Sequence, residues 1–169
     1  MMGLNLSAVM ALLAMLLFGL IAGFFYAFSV DVMRGLNTID PLEAIHAMQG
    51  INTEVRNPVF FVTFFMTPVI ALAAAAVLHT TGSKLAAIIM ICAAVLYIAG
   101  AFMPTVLINV PMNEALGALV VTPGDQNIAD IWEDYSSRWT FWNTARMIVS
   151  SGSLLLSGLA IFAIRHQTQ

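Results

Sequence analysis

Four long stretches of this 169-residue chain carry no Asp, Glu, Lys or Arg: residues 1–30, 57–83, 85–113 and 147–164. A bilayer core is crossed by a helix of roughly 20 apolar residues. Each stretch, with small extensions, is long enough to cross once. Charged residues make up 9% of the chain, against about 25% in soluble domains, and mean hydropathy is +0.92. The sequence predicts one transmembrane domain over residues 1–169: an all-α, integral membrane four-helix bundle. Its spans are expected at about 6–33, 58–78, 85–108 and 141–164. The first run is too long, and lacks the leading basic residue, for a secretory signal, so it is read as a retained helix.

Two connections between spans are long and polar. In the first, Asp40 is placed as an N-cap, Pro41 as the first helical residue and Glu43 as the capping-box partner. Ile45, Met48, Ile51 and Val55 then recur at helical spacing, which predicts an amphipathic connecting helix between helices 1 and 2. In the second, Ile128, Ile131, Trp132 and Tyr135 predict another before helix 4. Trp132, Tyr135, Trp139 and Trp142 suit an interfacial aromatic belt. The "HTTGS" turn at 79–83 makes helices 2 and 3 antiparallel neighbours. With four spans, both long connections and all nine acidic residues lie on one side; Lys84, Arg165, His79 and His166 lie on the other. A raw count of Lys and Arg favours the acidic side as cytoplasmic, whereas the short tails and loop with only basic charge favour both termini inside; the second reading is taken, in a bacterial inner membrane.

Polar residues inside or beside the spans mark the candidate site. Arg146 lies in the first turns of the fourth span, where a charge must face the bundle interior, find a partner or snorkel outward. Trp139 and Asn143 share its helical face at spacings of seven and three. Asn109 and Asn113 flank Pro111 where the third span leaves the membrane on the same side. Gln49 and Asn52 on the connecting helix, and Tyr26 and Ser29 on helix 1, reach that end too. Amides, guanidinium and hydroxyl suit a carbonyl, phenolate or other oxyanion. Met48, Met103 and Met112 are candidates for an apolar lining.

His46, three residues before Gln49, is a candidate base or metal ligand. A lone His without Cys or a second His is a weak metal motif. No cofactor is therefore expected, with haem or a metal held through His46 as the alternative. Cys92 is expected to be a small buried hydrophobe, and Gly19 and Gly23 form a GxxxG that permits close helix packing. No nucleotide-binding, nucleophile-elbow or HExxH motif is present. A pI near 5.4 argues against nucleic acid. The expected partners are the lipid bilayer and a hydrophobic small molecule, with a homo-oligomer or larger membrane complex as further options.

The segments "AGFFYAFSVDVMRGL" (22–36), "AIHAMQGIN" (44–52), "NVPMNEAL" (109–116) and "WTFWNTAR" (139–146) together resemble the anthrone oxygenase family of small four-span membrane proteins. The NxPxN and WxxxNxxR patterns are the most specific elements, with MQxxN a further match. The resemblance implies a four-helix membrane domain. It also implies, by analogy with fungal members, oxidation of an anthrone to an anthraquinone. On this reading His46, Asn109, Asn113, Asn143 and Arg146 form the catalytic set, and Tyr26, Gln49, Asn52 and Trp139 bind substrate. Asp31 and Glu114 compete with His46 as base. The alternatives are a lipid- or quinone-binding module without turnover, or a structural subunit of a membrane complex.

Overall fold

A computed structural model describes residues 6–166, with side chains through Ile164. Arg165 and His166, assigned above to the terminal side, have side chains outside the described residues. Among the described residues there is no strand. Four helices are long and apolar enough to cross a membrane: α1 (Leu6–Leu36), α3 (Pro58–Thr80), α4 (Lys84–Gly117) and α5 (Ile128–His166). The connecting helix α2 spans Pro41–Glu54.

Local chemistry sets the helix starts. Asp40 Oδ1 accepts the Leu42 N–H at 2.9 Å, with Pro41 next in the chain. Asn57 Oδ1 likewise accepts the Phe60 N–H at 3.0 Å, with Pro58 opening α3. Each side chain satisfies one of the amides a helix start leaves unpaired.

The second connection departs from expectation. Residues 128–138 are not a separate helix but the first turns of α5, which runs 39 residues without a break. At 1.5 Å per residue it is about 58 Å long, close to twice the hydrocarbon thickness. Its N-terminal part therefore stands clear of the span and supports α2. The aromatic belt is corrected with it. Trp132, Tyr135 and Trp139 are buried in a second core with Met33, Ala44, Ile45, Met48 and Leu116. They face α2 rather than lipid, because the unbroken helix points that face inward.

The main core is built from small residues. Ala11, Ala14, Ala71, Ala74, Ala86, Ala93, Ala94 and Ala160 are all buried, which lets helix backbones approach closely. Larger apolar residues such as Val62, Leu107 and Leu155 point outward, where lipid is as favourable as the interior. Cys92 is corrected likewise: it faces outward, since the inward face of its turn belongs to Met90, Ala93 and Ala94. The GxxxG is not a tight contact within the chain, since a Cβ at Gly19 or Gly23 would meet ordinary space. The tight approach is at Gly100, where a Cβ would lie 2.6 Å from Val149 Cγ1. Val149 is β-branched and stiff in a helix. Gly100→Ala is expected to destabilise the bundle by about 1–3 kcal/mol, and Val149→Ala to restore most of the loss, read as thermal unfolding in detergent.

Prolines in the spans are accommodated in two ways. Pro68 cannot donate to the Phe64 carbonyl, and the Tyr97 hydroxyl donates to that oxygen instead, at 3.1 Å. Near Pro104 and Pro111, α4 widens into π turns at Ile98–Phe102 and Thr105–Asn109. A third π turn lies in α1 at Phe28–Val32. Such turns re-aim side chains and recur at functional sites. Here they flank one region, the junction between the two cores.

Candidate functional site

A cavity of about 300 Å³ lies at that junction, below α2 and between α1, α3, α4 and α5. Its walls are aromatic: Phe24, Phe25 and Phe28 from α1, and Phe60, Phe61, Phe64 and Phe65 from α3. The four-residue spacings Phe24–Phe28, Phe60–Phe64 and Phe61–Phe65 place these rings in rows on helix faces. Phe60 and Phe64 stack at 5.6 Å, Phe64 and Phe102 at 5.3 Å, and Phe24 meets Phe60 at 4.9 Å.

The polar end is made by Arg146, Asn109, Thr105, Asn52 and Asn113. Arg146 is only 3% exposed. Its Nη1 donates to Thr105 Oγ1 at 2.9 Å and its Nη2 to Asn143 Oδ1 at 3.1 Å. The guanidinium lies over the Phe25 ring at 4.4 Å and 5.6 Å from the Trp139 ring. Among the described residues no carboxylate forms an ion pair with it, and its Nε has no hydrogen-bond partner. Both side-chain atoms of Asn109, 1% exposed, are also without partners. Unmatched buried polar groups are costly. Three such atoms, from Arg146 and Asn109, lie at one cavity, and Arg146 is a cation with no carboxylate partner among the described residues.

Other sequence-selected residues build the frame. Asn143 Nδ2 donates to the Phe25 carbonyl and to Ser29 Oγ, each at 2.8 Å, and Ser29 Oγ lies 3.0 Å from Thr144 Oγ1. Asn143 thus fixes α5 to the π turn of α1, and its oxygen orients Arg146. Asn113 Oδ1 accepts from Tyr135 Oη at 2.9 Å and from Trp139 Nε1 at 2.8 Å, while Asn52 Nδ2 donates to Tyr135 Oη at 3.2 Å. Gln49 Nε2 donates to the Leu116 and Leu119 carbonyls at 2.9 and 3.0 Å, pairing orphan groups at the end of α4 and tying α2 down.

The structure does not bring every expected residue to the cavity. Tyr26 is 57% exposed; Phe25, one residue earlier, takes the inward position. His46 is exposed on the outer face of α2, whose inner face is Ala44, Ile45, Met48 and Asn52. Asp31 is exposed as well. Of the three acid–base candidates only Glu114 borders the cavity, paired with Arg56 at 3.5 Å. Met48, Met103 and Met112 are not among the lining residues. Among the described residues no three His, Cys, Asp or Glu side chains gather in one place. The phenylalanine rows and Thr105 were not singled out from the sequence, although "FFYAF" (24–28) and "FFVTFF" (60–65) carried the four-residue periodicity.

Fold and site together define an integral membrane helical bundle with an aromatic-walled cavity ending in a buried arginine. The model of the anthrone oxygenase family matches residues 59–156. This is more than half of the chain, and the chain belongs to that family. The match takes in Asn109, Asn113, Trp139, Asn143 and Arg146; Phe24, Phe25, Phe28 and Asn52 lie before it. Comparison with curated proteins and with solved structures finds no match.

Proposed function

We propose that the protein binds a flat polycyclic aromatic ketone of the anthrone type and oxidises it with dioxygen. The observation that carries this reading is the buried Arg146, without a carboxylate partner among the described residues, at the polar end of a phenylalanine-lined cavity. The volume is at the lower end of the roughly 300–1,000 Å³ of small-molecule sites, which suits a flat tricyclic ligand. Aromatic rings favour offset or edge contacts with such a ligand. Arg146 and Asn109 Nδ2 then donate to its oxygen.

The chemistry follows from where charge develops. An anthrone's methylene is acidified by the carbonyl across the ring. Glu114 takes the proton, and the electron pair delocalises onto the carbonyl oxygen as an anthrolate. Arg146 and Asn109 stabilise that oxyanion more than the neutral ketone, so they lower the barrier to its formation. The anthrolate gives one electron to dioxygen. The resulting carbon radical and superoxide combine in a C–O bond, and protonation gives a hydroperoxide. Loss of water, with the remaining C–H proton leaving and the O–O bond breaking, forms the second carbonyl. The sum is anthrone plus dioxygen giving anthraquinone plus water, with no further oxidant. The aromatic walls exclude water and hold the ring plane against Arg146.

The test is oxygen uptake and anthraquinone formation by protein purified in detergent and supplied with an anthrone, above the uncatalysed rate. Substrate-dependent uptake that saturates supports the reading. Saturable binding without oxygen uptake leaves a binding protein and removes the reaction. A Soret band in the isolated protein overturns the cofactor-free scheme.

A further inference from the structure

We infer that the cavity is entered sideways from the bilayer, through a portal between α3 and α4 framed by Phe61, Phe65 and Val106. The inference rests on the cavity being the ligand site, and it specifies a ligand that arrives dissolved in the membrane.

Phe61, Phe65 and Val106 all line the cavity, yet they are 43%, 45% and 42% exposed on the outside of the bundle. A residue with one face in a cavity and another on the surface marks an opening. Close packing of α3 on α4 is concentrated along Lys84–Tyr97. Phe102 still meets Phe64 and Phe65. Beyond it α4 enters the π turn Thr105–Asn109 and the two helices are not closely packed. Phe65 is seven residues into α3, about 10 Å from its start at 1.5 Å per residue, so the opening faces acyl chains. The headgroup side of the gap also carries exposed lining residues, Arg56 and Glu114, but there the two side chains bridge the gap at 3.5 Å.

On the opposite side a groove between α1 and α3 shares Phe24, Phe28 and Phe60 with the cavity, and there the Phe24 ring packs on both other rings, with centroids 4.9 Å apart in each pair. Overhead, α2 is fixed by the Gln49 bonds. An uncharged aromatic partitions into the bilayer, so a lateral opening meets it at its highest concentration.

The experiment measures access and does not require turnover. Asn109→Cys, in a Cys92→Ser background in lipid nanodiscs, places a thiol inside the cavity. Gln126→Cys, on the exposed loop after α4, is the water-facing reference. N-phenylmaleimide is the lipophilic probe, and a quaternary-ammonium methanethiosulfonate the membrane-impermeant one. The charged reagent is expected to react roughly tenfold or more slowly at Asn109→Cys than at Gln126→Cys, normalised to the maleimide, because charge is excluded from the bilayer core. Adding Val106→Trp is expected to slow the maleimide at Asn109→Cys severalfold and leave Gln126→Cys unchanged. Three results overturn the portal: equal normalised rates for the charged reagent at both positions, no effect of Val106→Trp, or no labelling of Asn109→Cys by either probe. The expected labelling pattern together with a wild-type protein that oxidises no anthrone retains the portal and loses the proposed reaction.

Discussion

Arg146→Leu is expected to lower kcat for anthrone oxidation about 10²–10³-fold, the usual loss on removing a preorganised oxyanion donor. The folded protein should survive the change. Leucine replaces a charge whose burial is not offset by an acid among the described residues, and Thr105 keeps its bond to the Ala101 carbonyl at 2.8 Å. Asn143 Oδ1 loses its partner, which costs about 1–3 kcal/mol and partly cancels the gain from removing the charge. The thermal midpoint therefore moves little while turnover collapses. Arg146→Lys keeps the charge but not the planar fork. A single ammonium cannot take the geometry that now reaches Thr105 and Asn143 together, so an intermediate rate is expected. Steady-state kinetics in detergent, beside thermal unfolding of the same preparations, give both readouts. An Arg146→Leu protein that turns over within twofold of wild type removes Arg146 from the chemistry.

Asn109→Leu is expected to move activity and stability in opposite directions. Both amide atoms are buried without a partner in the protein, so the fold itself does not repay their desolvation. Leucine has the same branched side chain, its larger methyls can extend into the adjoining cavity, and it leaves nothing unpaired. Relieving a buried unmatched amide is worth about 1–3 kcal/mol, or a rise of several degrees in the midpoint for a chain of this length. Turnover should fall about 10²-fold through loss of the oxyanion contact, and ligand-induced stabilisation of the wild type should be lost in the variant. This opposition separates a functional asparagine from one that ties helices together, whose loss lowers stability. An Asn109→Leu protein that is less stable than wild type and equally active assigns Asn109 to the frame. Asn143→Leu is the contrast, since its amide already holds α1, α5 and Arg146 together; it should lower both.

Much of the site was legible because some residue types have few affordable places in a membrane helix. An arginine within an apolar span must be accounted for, and Asn143 at three residues' distance shares its face by helix geometry alone. Those two, with Trp139, are together in the structure. The pattern at 109–113 was half legible. Both asparagines lie at the site, but Asn109 opens into the cavity whereas Asn113 is bound to Tyr135 and Trp139.

The misplacements share a cause. On α1 the sequence is apolar on every side, so nothing in it fixes which face turns inward. Tyr26 and Phe25 are about 100° apart on the helix, and packing against α5 selected Phe25. On α2 the inward face holds Ala44, Ile45, Met48 and Asn52 because α5 and the end of α4 cover it. His46 falls on the other side of the same cylinder.

The sequence by itself determined the number of spans, the helix starts at Pro41 and Pro58, and the end of the bundle where the polar groups gather. These follow from local rules: uncharged length, capping chemistry and the cost of a charge in lipid. Tertiary structure alone decided the rotation of each helix, the continuity of α5 through residues 128–138, and the phenylalanine-walled cavity between the two cores. Those depend on which surfaces meet, and a chain apolar on all sides does not encode that in its periodicity.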